Sequence, residues 1–313
     1  MDLRALELFL SIAATNSFSR SAALAGLTQS SVSKSVAALE AELSVRLFER
    51  TGRGAVLSPE GRALLPRIDA MVREARGLRD VAGTTASEPA GTVEIAAQPS
   101  VGWALFSRLL TVLRRDYPHI RLQISEGTTN TLEDWLADGR IAMAVMSRPP
   151  SPRYAESTWL TDFPMYLIAR AGNPHALTLR KRVPFRLAAG LPLIMSAAPN
   201  GSRLILEEEA RRQGLTVNVR QEVNSFYLIK RMLRTSDDFS VTTYKSVEEE
   251  LTQGELLGRP IVQPVLRQGF YLGTALRRAP TQASRIVQQL VIDWAAEQPE
   301  SHHSKGVIKH VRT

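Results

Sequence analysis

Apolar side chains at the start of the chain recur with the spacing of a short amphipathic helix. Leu6, Phe9, Leu10 and Ala13 follow the i, i+3, i+4, i+7 pattern, and Asp2 is a suitable N-cap before them. The pattern stops at about residue 15. It predicts a first helix with one buried face.

A second and a third helix are predicted with only a few residues between them. Ser17 or Ser19 can cap the second helix, whose small residues in SAALAGL let a neighbouring helix approach closely, and Gly26 can end it. Thr28 can cap the third. Two short helices joined by a tight turn predict a helix-turn-helix.

The third helix is polar in its first turns and amphipathic afterwards. Val32, Val36 and Leu39 recur at helical spacing on one face. The other face carries polar side chains that do not build a core, namely Gln29, Ser30, Ser31, Ser33 and Lys34. The pattern predicts a helix whose N-terminal end is exposed to a partner.

A hairpin and then a long helix follow. VRLFERTGRGAVL predicts two short strands with a Gly-rich tip at residues 51–54, which form a small wing. Ser58 can cap the long helix, with Pro59 at the favoured first helical position. Pro66 is expected to kink this helix near its start.

The long helix carries an apolar stripe with alternating spacings of four and three residues. The stripe consists of Leu64, Ile68, Met71, Ala75, Leu78 and Ala82. Such a heptad seam is typical of a helix that pairs with a second helix, although packing on its own domain is the alternative. The arginines elsewhere in the segment and the linker that follows favour a homodimeric arm.

A stretch without periodicity, residues 83–91, leads into a longer region with a different pattern. Short apolar strands such as TVEIAA and IAMAVM alternate there with amphipathic helices, which predicts a parallel sheet with helices on its faces. A last helix is predicted from about Thr281 to Gln298. The tail, residues 301–313, is basic, has no structural pattern and is expected to be disordered.

Charge is distributed unevenly along the chain. The formal net charge is +8 over 313 residues, and no Asp or Glu occurs between Phe9 and Leu39, where Arg20 and Lys34 lie. A basic surface on a small N-terminal segment indicates a polyanionic partner, most simply nucleic acid. A solvated charged face is the alternative.

Several protein classes are disfavoured by what the sequence lacks. Without Cys there is no disulfide framework and no thiolate zinc site, and neither a signal-peptide pattern nor an apolar run of transmembrane length is present. We therefore expect a cytoplasmic protein with no membrane partner. The five His residues form no metal motif, and nucleotide-binding and nucleophile-elbow motifs are missing, so no metal, cofactor or enzymatic activity is expected.

The N-terminal segment resembles a known family, the LysR-type transcriptional regulators. The resemblance lies in FLSIAATNSFSRSAALAGLTQSSVSKSVAALEAELSVRLFER followed by LSPEG, in the family's order and spacing, and is architectural over the rest. It implies an N-terminal all-α winged helix-turn-helix domain with a long dimerising linker helix. It also implies a C-terminal α/β effector domain of the periplasmic-binding-protein type II fold with two Rossmann-like subdomains.

The resemblance also implies domain boundaries. The DNA-binding domain takes residues 1–58, the linker helix 59–82, the hinge 83–91 and the effector domain 92–300. Within the effector domain, the first subdomain takes residues 92–162 and 268–300, and the second takes 163–267. The chain therefore crosses between the subdomains twice.

In this interpretation the third helix enters the major groove of DNA. Gln29 and Ser33 are expected to contact bases, because Gln can bond a base edge with two hydrogen bonds. Ser30, Ser31, Lys34 and Arg50 would hold phosphates, and Arg53 at the wing would enter the minor groove. For each serine a role as a local cap or surface residue is the alternative.

The effector is expected between the subdomains, where strand ends face helix N-termini and favour anions. The candidate contacts are Ser100, Thr128, Thr129, Ser147, Ser196 and Phe226, with Thr243 behind them. Capping is an equal alternative for Ser100 and Thr128, and Arg148 is more simply a surface charge. The expected effector is an organic or aromatic acid.

The chain departs from the family pattern at three places. Ser44 stands where the family has Gly, Ala142 where it has Asp, and residues Thr235 to Val241 replace a Gly-rich turn. The last two lie near the expected pocket, so a ligand-independent regulator and, less simply, a solute-binding protein are the alternatives.

The implied function is transcriptional regulation, as an activator or a repressor. The expected partners are operator or promoter DNA, a small-molecule effector, further copies in a homodimer or homotetramer, and RNA polymerase for an activator.

Overall fold

The computed structural model describes residues 2–51, 54–82 and 89–298. The chain divides into two compact units, one built mostly from the residues up to 88 and the other from residue 89 onward. Among these described residues, no helix is long and apolar enough to cross a membrane.

The N-terminal unit is helical with a small hairpin. Its elements are α1 Leu3–Thr15, α2 Phe18–Ala25, α3 Gln29–Leu43, β1 Phe48–Thr51, β2 Gly54–Leu57 and α4 Pro59–Ala82. Asp2, Ser17 and Thr28 cap α1, α2 and α3 through their side-chain oxygens, and Gly26 ends α2 with a positive φ of 65°. These predicted helix boundaries are therefore confirmed, and the predicted wing is the pair of antiparallel strands β1 and β2.

The core of this unit gathers one face of each helix. Phe9 and Ile12 of α1 are fully buried, as are Val32 of α3 and Leu47 before the wing. The ring centroids of Phe9 and Phe48 lie 5.3 Å apart, which ties α1 to the hairpin. This core holds α3 by its apolar face and leaves the polar face outside.

The first two residues of the predicted dimer seam pack against this core. Ile68 is 4% exposed and Leu64 is half-buried, and both pack against the core of their own domain. A side chain already buried in its own domain has no surface left to bury in a dimer, so the prediction was wrong for Ile68, while it stays a prediction for Leu64. Met71 is 45% exposed and Ala75 is half-buried, while the side chains of Leu78 and Ala82 lie outside the described part.

The second unit has an α/β architecture. Its helices are α5 Pro99–Asp116, α6 Thr129–Ala137, α7 Pro174–Thr178, α8 Phe185–Gly190, α9 Gly201–Arg212, α10 Phe226–Thr235, α11 Glu248–Thr252 and α12 Gln282–Ala296. Its strands are β3 Gly91–Ala97, β4 Ile120–Glu126, β5 Met143–Met146, β6 Ala155–Arg170, β7 Val183–Pro184, β8 Leu193–Met195, β9 Val219–Glu222, β10 Ser240–Thr243, β11 Leu256–Val262 and β12 Arg267–Ala275.

The main sheet is mixed, whereas the alternation of strands and helices predicted a parallel one. Its order is β4-β3-β5-β12-β6-β11-β7, with β10 also paired to β6. β3 pairs in parallel with β4 and β5, but β12 runs antiparallel to β5 and β6. The prediction failed because the directions of β6 and β12 are set by pairing with strands distant in sequence, which a local pattern does not show.

Two buried clusters divide the second unit into subdomains. The first includes residues of β3, α5, β5 and α12, and the second includes residues of β8, α9 and β10. β6 and β12 contribute to the first cluster, and β6 continues into the second. Phe163, which the sequence boundaries assigned to the second subdomain, belongs to the first core, where its ring lies 5.8 Å from that of Phe270.

Candidate functional site

The first turns of α3 present an exposed polar surface. Gln29, Ser30, Ser31 and Lys34 are exposed and Ser33 is half-buried, while Val32 on the opposite face is fully buried. Because residues four positions apart share a helix face, Gln29 lies beside Ser33 and Ser30 beside Lys34. The predicted DNA-contacting residues of this helix are thus brought together on one surface.

Two of the predicted phosphate contacts also take part in capping. Thr28 Oγ1 accepts a hydrogen bond from the Ser31 backbone N–H at 3.2 Å. The same oxygen lies 3.0 Å from Ser30 Oγ and 2.8 Å from Ser31 Oγ. Each hydroxyl can turn its O–H toward a phosphate oxygen and donate a hydrogen bond there, so capping and phosphate binding are compatible here.

The charge around this surface is positive. α3 has no acidic residue in its first turn. Arg20 on α2 and Arg46 before the wing are exposed, as is Lys34. Arg53 and the side chain of Arg50 lie outside the described part, so their predicted contacts remain predictions. A positive surface of this kind attracts a polyanion.

A cleft of about 1130 Å³ lies between the two subdomains of the second unit. Five predicted effector contacts line it: Ser100, Thr128, Thr129, Ser196 and Phe226. They come from the N-terminal ends of α5, α6 and α10 and from the segment after β8. Strand ends and helix N-termini therefore converge on this cleft, as the sequence pattern predicted.

Two predicted effector contacts are not part of the lining. Thr243 is the last residue of β10 and is 0% exposed, since that strand is buried along its whole length against β6. Ser147 lies behind the lining, with its Oγ 3.4 Å from Thr129 Oγ1. Thr243 therefore lies behind the lining, which is the place predicted for it, and the direct contact predicted for Ser147 stays a prediction.

Gln98 and Gln268 line the cleft and were missed by the sequence analysis. Gln98 Nε2 donates a hydrogen bond to Thr129 Oγ1 at 2.8 Å, and Ser202 Oγ donates one to Gln268 Oε1 at 2.6 Å. Gln98 directly follows β3 and lies at the same strand-to-helix junction as Ser100. Gln268 lies within β12, and only the antiparallel return of that strand brings it to the cleft.

The two lysines of the lining are both paired. Lys230 Nζ lies 2.6 Å from Glu250 Oε1, and Lys245 Nζ donates a hydrogen bond to Glu248 Oε2 at 2.7 Å. Arg148, the other cation considered, lies 2.8 Å from Glu133 and is not part of the lining. Arg148 is therefore a paired surface charge, as the sequence analysis favoured.

The departures from the family pattern have defined structural roles. Asp237 pairs with Arg170 at 2.7 Å and Asp238 with Arg220 at 3.2 Å, so the segment that replaces the Gly-rich turn is held by ion pairs. Ala142 packs against the first core. In the described ranges, no group of His, Cys, Asp and Glu is suitable for a metal ion.

Comparisons with known proteins identify both units. A model of the LysR substrate binding domain matches residues 86–296, and a model of the bacterial regulatory helix-turn-helix protein, lysR family, matches residues 3–62. The chain belongs to the LysR family. This LysR-family chain is a DNA-binding transcriptional regulator that carries an effector-binding domain.

Relatives and solved structures agree with this membership over nearly the whole length. An uncharacterized HTH-type transcriptional regulator, YfeR of Shigella flexneri, is 25% identical over 293 residues, which are 93% of this chain and 94% of that protein. A full-length OxyR variant from Pseudomonas aeruginosa has a TM-score of 0.71 at 22% identity, covering 96% of both chains. CbnR in complex with its target DNA has a TM-score of 0.73 at 15% identity, covering 95% of this chain and 99% of that one. At these identities the two structures show the fold alone.

Proposed function

We propose that this LysR-family regulator reads an operator through the first turns of α3 and changes that binding when a small molecule occupies the cleft. Gln29 and Ser33 contact bases. The phosphates are held by Ser30, Ser31, Lys34 and Arg50, and Arg53 enters the minor groove. The observation that carries this assignment is the exposed face of α3 with an apolar face anchored in the core.

The effector side of the proposal rests on the cleft. Side chains from both subdomains line it, so a bound molecule contacts both and favours one relative arrangement of them over the other. A ligand shifts such an equilibrium only as far as its affinities for the two states differ. The arrangement is suited to binding, and we infer that the protein acts in the cytoplasm as a homo-oligomer without enzymatic activity.

The remaining part of α4 supports the oligomer. Met71 is exposed on the predicted stripe, and Leu78 and Ala82 continue it by spacing. An activator of this kind also contacts RNA polymerase.

A dimer that binds through two copies of α3 is expected to recognise an operator with inverted-repeat symmetry.

Selection from random-sequence DNA with the full-length protein tests this proposal. We expect enrichment of sites with an inverted repeat, and binding to them that is much tighter than to scrambled DNA at the same salt concentration. Recovery of no common sequence would contradict a base-reading role. A ligand-independent regulator would give the same enrichment, with no effect of any small molecule on the site.

A further inference from the structure

The cleft has more negative than positive groups. Four glutamates, Glu126, Glu248, Glu249 and Glu250, stand against Lys230 and Lys245 in its lining. The two lysines are neutralised by Glu250 and Glu248. Two carboxylates therefore remain without a cation, and no lysine or arginine of the lining is left to receive a simple anion.

Glu126 is the more available of these two carboxylates. It is exposed at the end of β4 and has neither a hydrogen bond nor an ion pair with any residue in the described ranges. Glu249 Oε1, in contrast, accepts a hydrogen bond from Gln253 Nε2 at 3.1 Å. A free carboxylate in a binding cleft is a suitable partner for a ligand ammonium group, which has three donors.

Beside Glu126 lies the N-terminus of α5, which no side chain caps. α6, α9 and α10 are capped by Thr128, Asn200 and Ser225. α5 has Gln98 at its N-cap without a side-chain hydrogen bond, and Pro99, which has no N–H, at its first position. The N–H of Ser100 and its free hydroxyl are thus left to bind a carboxylate, supported by the helix dipole.

Gln98 supplies an independent sign of a missing partner. The residue is 5% exposed and lines the cleft. Its Nε2 donates a hydrogen bond to Thr129 Oγ1, whereas its Oε1 has no hydrogen-bond partner in the described ranges. A buried acceptor left unpaired is costly, and a bound donor would satisfy it. Ala97 and Glu126 are register partners of β3 and β4, so Gln98 directly follows the residue opposite Glu126.

The free carboxylate and the uncapped helix end are neighbours. Glu126 Oε1 lies 3.3 Å from the position that a Cβ would take at Gly102, in the first turn of α5. A plain anion at this helix end would therefore meet a like charge, which opposes its binding. A ligand with adjacent opposite charges avoids this conflict, because its ammonium faces Glu126 while its carboxylate faces Ser100.

We propose that the effector is a small zwitterion, an α-amino acid or a close analogue. Its carboxylate binds the Ser100 N–H and hydroxyl, and its ammonium binds Glu126 and Gln98 Oε1. Exposed Trp103 and Tyr227 in the lining leave apolar surface for the remainder of the molecule. This inference rests on the proposed function and narrows the expected organic acid to one that also carries an amine.

The test uses the full-length protein and defined probes. A thermal-shift screen with the twenty common L-amino acids, and with acetate, benzoate and phenethylamine as single-charge controls, selects the best binder. Titration calorimetry then compares that amino acid with its N-acetyl form, which lacks the ammonium, and with its methyl ester, which lacks the carboxylate. We expect both modified forms to bind at least about tenfold more weakly, which corresponds to roughly 1.4 kcal/mol each.

Matched variants locate the two charges. Glu126→Gln is expected to weaken binding of the free amino acid at least about tenfold. The free amino acid should then bind no more tightly than its N-acetyl form. Glu249→Gln, the same change on another wall of the cleft, is expected to leave the affinity unchanged. Ser100→Ala, which removes the hydroxyl but keeps the backbone N–H, is expected to reduce the advantage over the methyl ester. The melting temperature of each ligand-free variant checks its folding.

Three results would overturn the inference. They are equal binding of the N-acetyl form, an unchanged affinity in a folded Glu126→Gln variant, and stabilisation by acetate or benzoate but by no amino acid. The last result would leave the cleft as an effector site and the proposed function intact. Should Glu126→Gln not fold, the comparison of the three ligand forms on the unmodified protein decides the question.

Discussion

We propose different parts in DNA binding for Gln29 and Lys34 of α3, although both are exposed polar residues. An amide can form two hydrogen bonds with a base edge and so discriminates between bases. An amine close to the phosphates gains affinity by releasing counterions and does not depend on sequence. Each role predicts its own result for an alanine variant.

Gln29→Ala is expected to weaken binding to the selected operator by about 1 to 3 kcal/mol, because a base contact is lost. Binding to scrambled DNA is expected to change little. Fluorescence anisotropy with both DNA fragments at one salt concentration measures the difference. An equal loss on the two fragments would show that Gln29 does not read a base.

Lys34→Ala is expected to weaken binding to all sequences and to reduce the slope of log affinity against log salt by about one unit. Lys181→Ala, which removes the same charge from an exposed position in the second unit, serves as the control. A slope unchanged in Lys34→Ala, or reduced equally in both variants, would exclude a phosphate contact for Lys34.

The individual elements were predictable where local chemistry determines them. The caps at Asp2, Ser17 and Thr28 and the periodic apolar residues of the first three helices defined these helices in the sequence. The long strand β6 was predicted only in its last part, residues 165–170, because the stretch before it contains Pro164 and lacks the pattern of an isolated strand. Its conformation is set by pairing with β10, β11 and β12, which are distant in sequence.

The candidate sites show the same division. The polar face of α3 is local and was found in the sequence, and so were the cleft residues at strand ends. Gln268 was missed because it lies inside a strand, and only the antiparallel return of β12 brings it to the cleft. Ile68 was assigned to a dimer because a heptad stripe does not tell which partner covers it.

Ser44 at the end of α3 adopts a backbone conformation that favours glycine. Its φ is 56° and its ψ is 29°, and its N–H closes the helix on Glu40 and Ala41 carbonyls. For a residue with a Cβ this conformation costs about 1 kcal/mol. The strain expected from the serine in this turn is thus present in the backbone.

Ser44→Gly is expected to raise the free energy of unfolding of the N-terminal unit by about 0.5 to 1 kcal/mol, because the strain is removed. Ser35→Gly in the middle of α3 is the matched control and is expected to lower it by about 0.5 to 1 kcal/mol. Calorimetric melting of the two variants measures both changes. Destabilisation by Ser44→Gly would contradict the account of this turn.

At the scale of the whole molecule, the protein is proposed to act as an oligomer through the exposed part of α4. Val72 and Ile68 anchor this helix in its own domain, with exposures of 1% and 4%. Met71 lies beside them and is exposed. The interface is therefore expected to begin at Met71 and to continue toward Ala82.

Replacing Met71 and Leu78 together by Asp is expected to give monomers, because two charges would be buried in an apolar seam. Light scattering measures the mass, and circular dichroism checks that the helices are retained. Arg67→Asp puts the same carboxylate on the exposed side of the same helix, in place of a positive charge, and is expected to leave the oligomer intact. A double variant that remains a dimer would move the interface to another surface.

The central claim is that occupation of the cleft and binding of the operator are coupled. The most direct test measures the affinity of the best-stabilising ligand for the free protein and for the protein saturated with its selected operator. Since coupling is reciprocal, the account predicts that the two dissociation constants differ by about 5- to 150-fold. Equal constants would contradict effector control, whatever the ligand and the DNA sequence prove to be.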